Sequence, residues 1–250
     1  MLSGLTTYTV SRAARQRLVD FMVSALESAG CRILSRSDAG RAPFVITFKT
    51  ASGEHMGIVA YAFLATRTPT KNRPVDERSF QIKYGSKVPD AVHELWTDPH
   101  GVYTTLLIGI DPTEGFFVAA DPAAHNPTKF FIRLEFKDRH ADAIRSHGWH
   151  AWERAKRDRG FDEPVEVLVG GTQHHFLDLI RFERAALGLS PGDRQLLAEK
   201  PKLMAAPPLM PSTELIVPEN KILHPLAKER YCCAPIFGRV VATAPSCSFR

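Results

Sequence analysis

Apolar residues recur on a helical period between Ser11 and Ala29. Leu18, Phe21, Met22, Ala25, Leu26 and Ala29 share one face, and Gly30 supplies the stop. Shorter apolar runs then predict strands over Cys31–Ser35, Phe44–Lys49 and Met56–Leu64. Thr66–Arg78, interrupted by Pro69, Asn72 and Pro74, reads as a long loop. Ser79–Tyr84 is a further strand closed by Gly85, and a short helical stretch is predicted over Asp90–Trp96. Three apolar strands follow: Thr104–Asp111, Phe116–Asp121 and Lys129–Lys137. The segment Asp111-Pro-Thr-Glu-Gly115 has the residues of a turn, which makes the first two a hairpin.

Beyond them, Asp138–Arg157 is predicted as a helix capped by Asp138, with Ile144, Ala151, Trp152 and Ala155 on its buried face. Val165–Val169 is a strand, and Gln173–Leu187 is a helix packed through Phe176, Leu179, Ile180 and Leu187. The pattern predicts an α+β or α/β fold, a mixed central sheet flanked by helices. Prolines 201, 207, 208, 211, 218 and 225 break any long element, so residues 1–199 form the domain and 200–230 a linker. Residues 231–250 show no clean period.

At 250 residues and 44% hydrophobic, the chain can bury one substantial core. No apolar run approaches the roughly 18 residues of a membrane span, and the N-terminus lacks a signal-peptide pattern, so a cytoplasmic location is expected. Cys31, Cys232, Cys233 and Cys247 contain no Cys-x-x-Cys pair, which argues against a zinc site or a disulfide framework.

The net charge of +5 says less than its distribution. Between Arg67 and Lys87, the bases Arg67, Lys71, Arg73, Arg78, Lys83 and Lys87 meet only Asp76 and Glu77. Between Lys129 and Arg159 there are nine bases, Lys129 and Arg133 among them, against five acids. Two basic segments beside an aromatic-rich sheet suit a phosphate backbone, and a solvated basic surface would have the same composition. In the strand around Phe80 and Ile82, Gln81 and Lys83 occupy the alternate positions. Gln can pair with adenine, and Lys can meet guanine or phosphate. The loop Asp121–Thr128 carries two prolines that would hold His125 and Asn126 in place for a ligand.

His147 and His150 at i and i+3 of one helix, and His174-His175 at the start of another, have no third ligand at a recognisable spacing. Nothing in the chain matches a dinucleotide-binding glycine motif, a phosphate loop or a serine-hydrolase elbow.

The order strand, strand, strand, helix, strand, helix from Thr104 to Leu187, with Asp121 at one strand end and Glu135-Phe136-Lys137 on the next, resembles the PD-(D/E)xK nuclease core. That resemblance implies Mg²⁺ held by Asp121 and Glu135, with Lys137 orienting the attacking water and Glu94 as an auxiliary acid. The sequence departs from the pattern in that Pro112 and Pro122 follow their aspartates instead of preceding them.

Arg78–Gly85, Gly109–Asp121, His125–Lys137 and Gly148–Arg154 together resemble the N-terminal region of bacterial HNH-type restriction endonucleases, over roughly Arg67 to Glu199. This implies selection of double-stranded DNA, ordinary or modified, in a phage-defence setting, and is compatible with a homodimer. In such proteins a helix similar to His224–Arg230 leads into the nuclease half. No histidine or asparagine follows Arg230, so the resemblance implies a recognition module without its HNH half. A Mg²⁺-dependent nuclease, and a protein-interaction subunit whose basic surface is incidental, are the alternatives.

Overall fold

The computed structural model describes residues 2–67, 73–85, 88, 91–154 and 165–199. The chain divides into two units, Met1–Ala206 and Pro207–Arg250, and the described residues all belong to the first. Lys71, Lys87, Ala155–Arg157, Arg159, the linker at 200–230, Cys232, Cys233, Cys247 and the tail at 231–250 lie outside the described residues.

In chain order the elements are β1 (Tyr8–Thr9), α1 (Arg12–Ser28), β2 (Arg32–Arg36), β3 (Arg41–Ala42), β4 (Phe44–Lys49), β5 (His55–Leu64), β6 (Glu77–Ile82), β7 (Val92–His93), β8 (Tyr103–Asp111) and β9 (Phe116–Ala120). After a 3-10 turn at Ala123–His125 come β10 (Thr128–Lys129), β11 (Ile132–Lys137), α2 (Asp138–His147), β12 (Trp149–Arg154) and β13 (Glu166–Thr172). A second 3-10 turn at Gln173–His175 leads into α3 (Phe176–Ala185), and α4 (Pro191–Ala198) follows.

Seven strands form the central sheet in the order β12-β13-β9-β8-β5-β4-β2. Neighbours run antiparallel except for the parallel pair β5 and β8. Strands β5, β8 and β9 read as nearly unbroken apolar runs because both of their faces are covered.

Ile58, Ala60, Leu106, Ile108, Phe117 and Ala119 join one buried cluster with Leu18, Met22 and Leu26 of α1 and Phe176, Leu179 and Ile180 of α3. The alternate residues Val59, Tyr61, Phe63, Leu107, Phe116 and Val118 join a second cluster on the opposite face. There they meet Phe80 and Ile82 of β6, Leu134 and Phe136 of β11, and Ile144 of α2. The period-two alternation within each strand therefore builds a three-layer unit.

The fold is mixed α+β, and it departs from the sequence reading in three places. First, the third apolar strand does not extend the sheet of the other two. β11 pairs antiparallel with β6 as a separate two-stranded ribbon, with Gln81 opposite Arg133 and Phe80 opposite Leu134. The ribbon lies over the sheet where Gly109 of β8 leaves room, since a Cβ there would sit 2.3 Å from the Phe80 ring.

Second, the helix predicted to run to Arg157 ends at His147. Gly148 adopts φ +80° and its N–H caps the Ile144 carbonyl, after which Trp149–Arg154 pairs with β13 as an edge strand. Third, the described part of the predicted helix Asp90–Trp96 contains only the two-residue strand β7, which pairs with β10. Its backbone is held from elsewhere in the fold. The Asn126 amide bridges Leu95 N–H and C=O, and the Trp96 N–H donates to the Tyr61 hydroxyl.

Helix α4 follows an N-cap in which Ser190 accepts from the Asp193 N–H, with Pro191 in the first turn.

Candidate nucleic-acid interface

The ribbon has two chemically different faces because side chains alternate along each strand. Phe80, Ile82, Leu134 and Phe136 point inward to the sheet. On the outer face, Gln81 opposes Arg133, Ser79 opposes Glu135 and Glu77 opposes Lys137.

That outer face, the end of β5 and the first turns of α1 enclose a groove of about 470 Å³. Its charged lining is Arg15, Arg73, Lys83 and Arg133, accompanied by Gln81, and no acid lines it among the described residues. Arg15 lies over the Phe63 ring at 5.2 Å and donates to the Ala62 carbonyl at 2.7 Å, and burial lowers its pKa. Arg133 is braced by Glu77 at 2.8 Å and by Glu135 at 3.0 Å. Arg73 reaches Glu77 at 3.9 Å. Lys83 lies 5.6 Å from the centre of the Phe131 ring, and Phe131 is 58% exposed.

Of the residues singled out from the sequence for DNA contact, the groove gathers Arg73, Gln81, Lys83 and Arg133. Arg67 stands nearby, donating to the Val75 carbonyl and pairing with Asp138 at 3.0 Å. Lys129 lies in β10, apart from the ribbon.

Arg78 is turned inward and only 6% exposed, donating to Asp138 and Glu114 at 2.6 Å each, with Asp111 at 3.7 Å and the Phe116 ring beneath it. His125 is buried and donates to Glu166 at 2.6 Å. Burial alone would raise the Glu166 pKa, but His125 and Arg154 outweigh it and hold that carboxyl low. Arg154 also donates to the Arg133 carbonyl, which ties β12 to the ribbon. His125, Asn126 and Arg78 thus have internal partners that hold the ribbon and the Leu95 segment in place.

The nuclease-like arrangement needs Asp121 and Glu135 on neighbouring strands. Asp121 follows β9, whose neighbours are β8 and β13, whereas Glu135 belongs to the ribbon. The strand of Glu135 pairs with β6 and not with β9, so the two acids do not stand on neighbouring strands as that arrangement has them. Among the described residues no group of three or more His, Cys, Asp and Glu side chains could hold a metal ion. Lys137 instead pairs with Asp76 at 3.0 Å, and Glu94 stands on the Leu95 segment.

The His147–His150 pairing is also undone, because His150 is on β12. Its Nε2 shares a hydrogen bond of 3.1 Å with His140 Nδ1, and both rings stack on Trp152.

Sequence reasoning missed Arg15 and Phe131. Arg15 is one of several bases at the start of α1, and no spacing singles it out.

The model of one protein family, described as methylase-associated X1, matches residues 56–180, half of the chain. The chain belongs to the methylase-associated X1 family. The X1 match begins in β5 and ends in α3, so it includes the whole ribbon and the central strands beneath it. No curated protein and no solved structure matches the chain. No helix among the described residues is long and apolar enough to cross a membrane.

Proposed function

We propose that this X1 chain is the DNA-recognition module of a cytoplasmic restriction–modification or related phage-defence system. The observation that carries the reading is the outer face of the β6–β11 ribbon, where Gln81 and Arg133 stand side by side in a groove whose charged lining is entirely basic. A two-stranded ribbon is one of the two elements that the major groove of B-DNA admits, and Gln, Lys and Arg are the residues that pair with purine edges there.

Gln81 is placed to meet adenine, and Lys83 and Arg133 to meet guanine or phosphate. Arg15, Arg73 and Arg67 flank them as phosphate contacts, which fix register without reading sequence. The family description supports the setting, since a methylase-associated domain belongs beside an enzyme that modifies DNA. The resemblance to the DNA-selecting region of HNH-type endonucleases points the same way.

Binding of labelled duplex DNA by the wild-type chain and by the triple variant Gln81→Ala, Lys83→Ala, Arg133→Ala tests this. Each good base contact contributes roughly 1–3 kcal/mol, so the triple variant should bind more than about 100-fold more weakly per folded molecule, and Gln81→Ala, which breaks no ion pair, should bind at least about fivefold more weakly while unfolding at the wild-type temperature. Equal binding by the variant overturns the assignment of the ribbon.

A further inference from the structure

The outer face of the β6–β11 ribbon is polar at each paired position, with Glu77, Ser79 and Gln81 on one strand and Arg133, Glu135 and Lys137 on the other. One step beyond the last pair, Ile82 and Ile132, strand alternation brings Lys83 and Phe131 to that same face. The Lys83 Nζ lies 5.6 Å from the centre of the Phe131 ring, and Lys83 lines the groove. Phe131 is 58% exposed, and no other Phe, Tyr or Trp among the described residues is exposed.

Single exposed aliphatic side chains are ordinary on a protein surface. A phenyl ring that ends a row of hydrogen-bonding side chains, beside a groove with a basic lining, is placed to add an apolar contact to theirs.

Three uses of such a ring on DNA are chemically distinct. Stacking on an extruded base needs walls on both faces of that base, and the other ring at the groove, Phe63, is already covered by Arg15. Wedging between base steps is the work of minor-groove binders, whereas a two-stranded ribbon fits the major groove. Contact with a C5-methyl group is the apolar part of the major-groove code, and phenylalanine is one of the side chains that makes it.

Two residues of strand advance by about 6.6 Å, close to two base-pair steps of about 3.4 Å each. A ribbon lying along the groove therefore sets Phe131 against a different base pair from the one facing Gln81 and Arg133. We propose that Phe131 reads the C5-methyl group of a pyrimidine, thymine or 5-methylcytosine, beside the purine contacts of Gln81, Lys83 and Arg133. The inference rests on DNA recognition by the ribbon and adds the class of base read at one position.

Selection of duplexes by the wild-type chain from a random-sequence pool tests it, once with ordinary DNA and once with 5-methylcytosine in place of cytosine. The tightest duplex from each arm is then remade without those C5-methyl groups, with deoxyuridine for thymidine in the first and cytosine for 5-methylcytosine in the second. Burial of one methyl group is worth about fourfold in affinity. In at least one arm the wild-type chain should bind the remade duplex at least about fourfold more weakly, whereas Phe131→Ala should bind both forms equally well. Each comparison is a ratio within one variant, so a change in stability does not enter it.

Loss with deoxyuridine alone supports the proposal and assigns the methyl group to thymine, and loss with cytosine alone assigns it to 5-methylcytosine. Wild-type affinity indifferent to the methyl groups in both arms, or the same loss in Phe131→Ala, overturns the proposal. Either result leaves DNA recognition by the ribbon standing, because Gln81→Ala reads that out separately. Failure of the wild-type chain to retain any duplex overturns the DNA reading itself, and this inference with it.

Discussion

Gln81 and Arg133 are cross-strand partners on the outer face of the β6–β11 ribbon, and directly behind them Phe80 and Leu134 are partners on its inner face. The inner pair fixes where the outer pair can stand, so the proposed DNA contacts depend on apolar packing that never meets solvent.

Gly109→Ala should therefore disturb binding without touching the groove. The added methyl would lie 2.3 Å from the Phe80 ring and 2.7 Å from its Cβ, too close for either to keep its position. Overpacking of this kind costs about 1–3 kcal/mol. Urea denaturation should show that loss, and DNA affinity should fall with it, whereas Gln81→Ala should reduce affinity alone.

Arg78→Met should separate the buried arginine from the groove arginines. Removing it leaves Asp138 to Arg67 and Glu114 to Arg145, and leaves Asp111 without a nearby cation. Losing hydrogen bonds from a buried cation to charged acceptors costs about 1.5–3 kcal/mol each. The expected outcome is a large drop in unfolding free energy. The salt dependence of any DNA binding measured on the folded fraction should not change.

Arg194→Met should be similarly destabilising, by about 3–5 kcal/mol, because it leaves Glu183 buried without its cation. Burial already raises the Glu183 pKa. The companion change Glu183→Gln in the Arg194→Met background should recover part of the loss, as read in a double-mutant cycle.

Acid should weaken the fold through His140. Its pKa is lowered to about 4, first by burial and then by Arg139 and His150, and burial also lowers that of His150. A folded pKa below the unfolded value near 6.5 means the unfolded chain takes up the proton first. The stabilising contribution is whole above about pH 6.5 and is lost as the pH falls towards 4. Melting temperature followed across that window should fall less steeply in His140→Asn than in wild type. Parallel curves would show that the stacked histidines do not carry the effect.

Much of this architecture is visible in the chain because it is local. The stripe of α1, strands β4 and β5, and the β8–β9 hairpin each follow from periodicity and turn residues close in sequence. The sheet that β11 joins is a non-local matter. Leu134 and Phe136 announce one buried face, but nothing near them says that the partner is β6, more than fifty residues earlier. For β12 the signal was present in Gly148 followed by alternating side chains, and it lost to the apolar spacing of the preceding helix. Ser190-Pro191 likewise announces α4.

Within the candidate groove, Gln81 and Lys83 could be picked out because strand alternation exposes them. Arg15 could not, since it reaches the groove only through the packing of α1 on the sheet. Arg78 is the opposite case, a base whose burial depends on Asp111, Glu114 and Asp138 arriving from two other elements.

The salt dependence of duplex binding tests the central claim most directly. Each phosphate neutralised contributes about 0.9 to the slope of log affinity against log salt. Phosphate contacts by Arg15, Arg73 and Arg67 predict a slope of nearly three, reduced by about one in Arg73→Ala. A duplex affinity independent of salt, or a slope that Arg73→Ala leaves unchanged, would contradict the account.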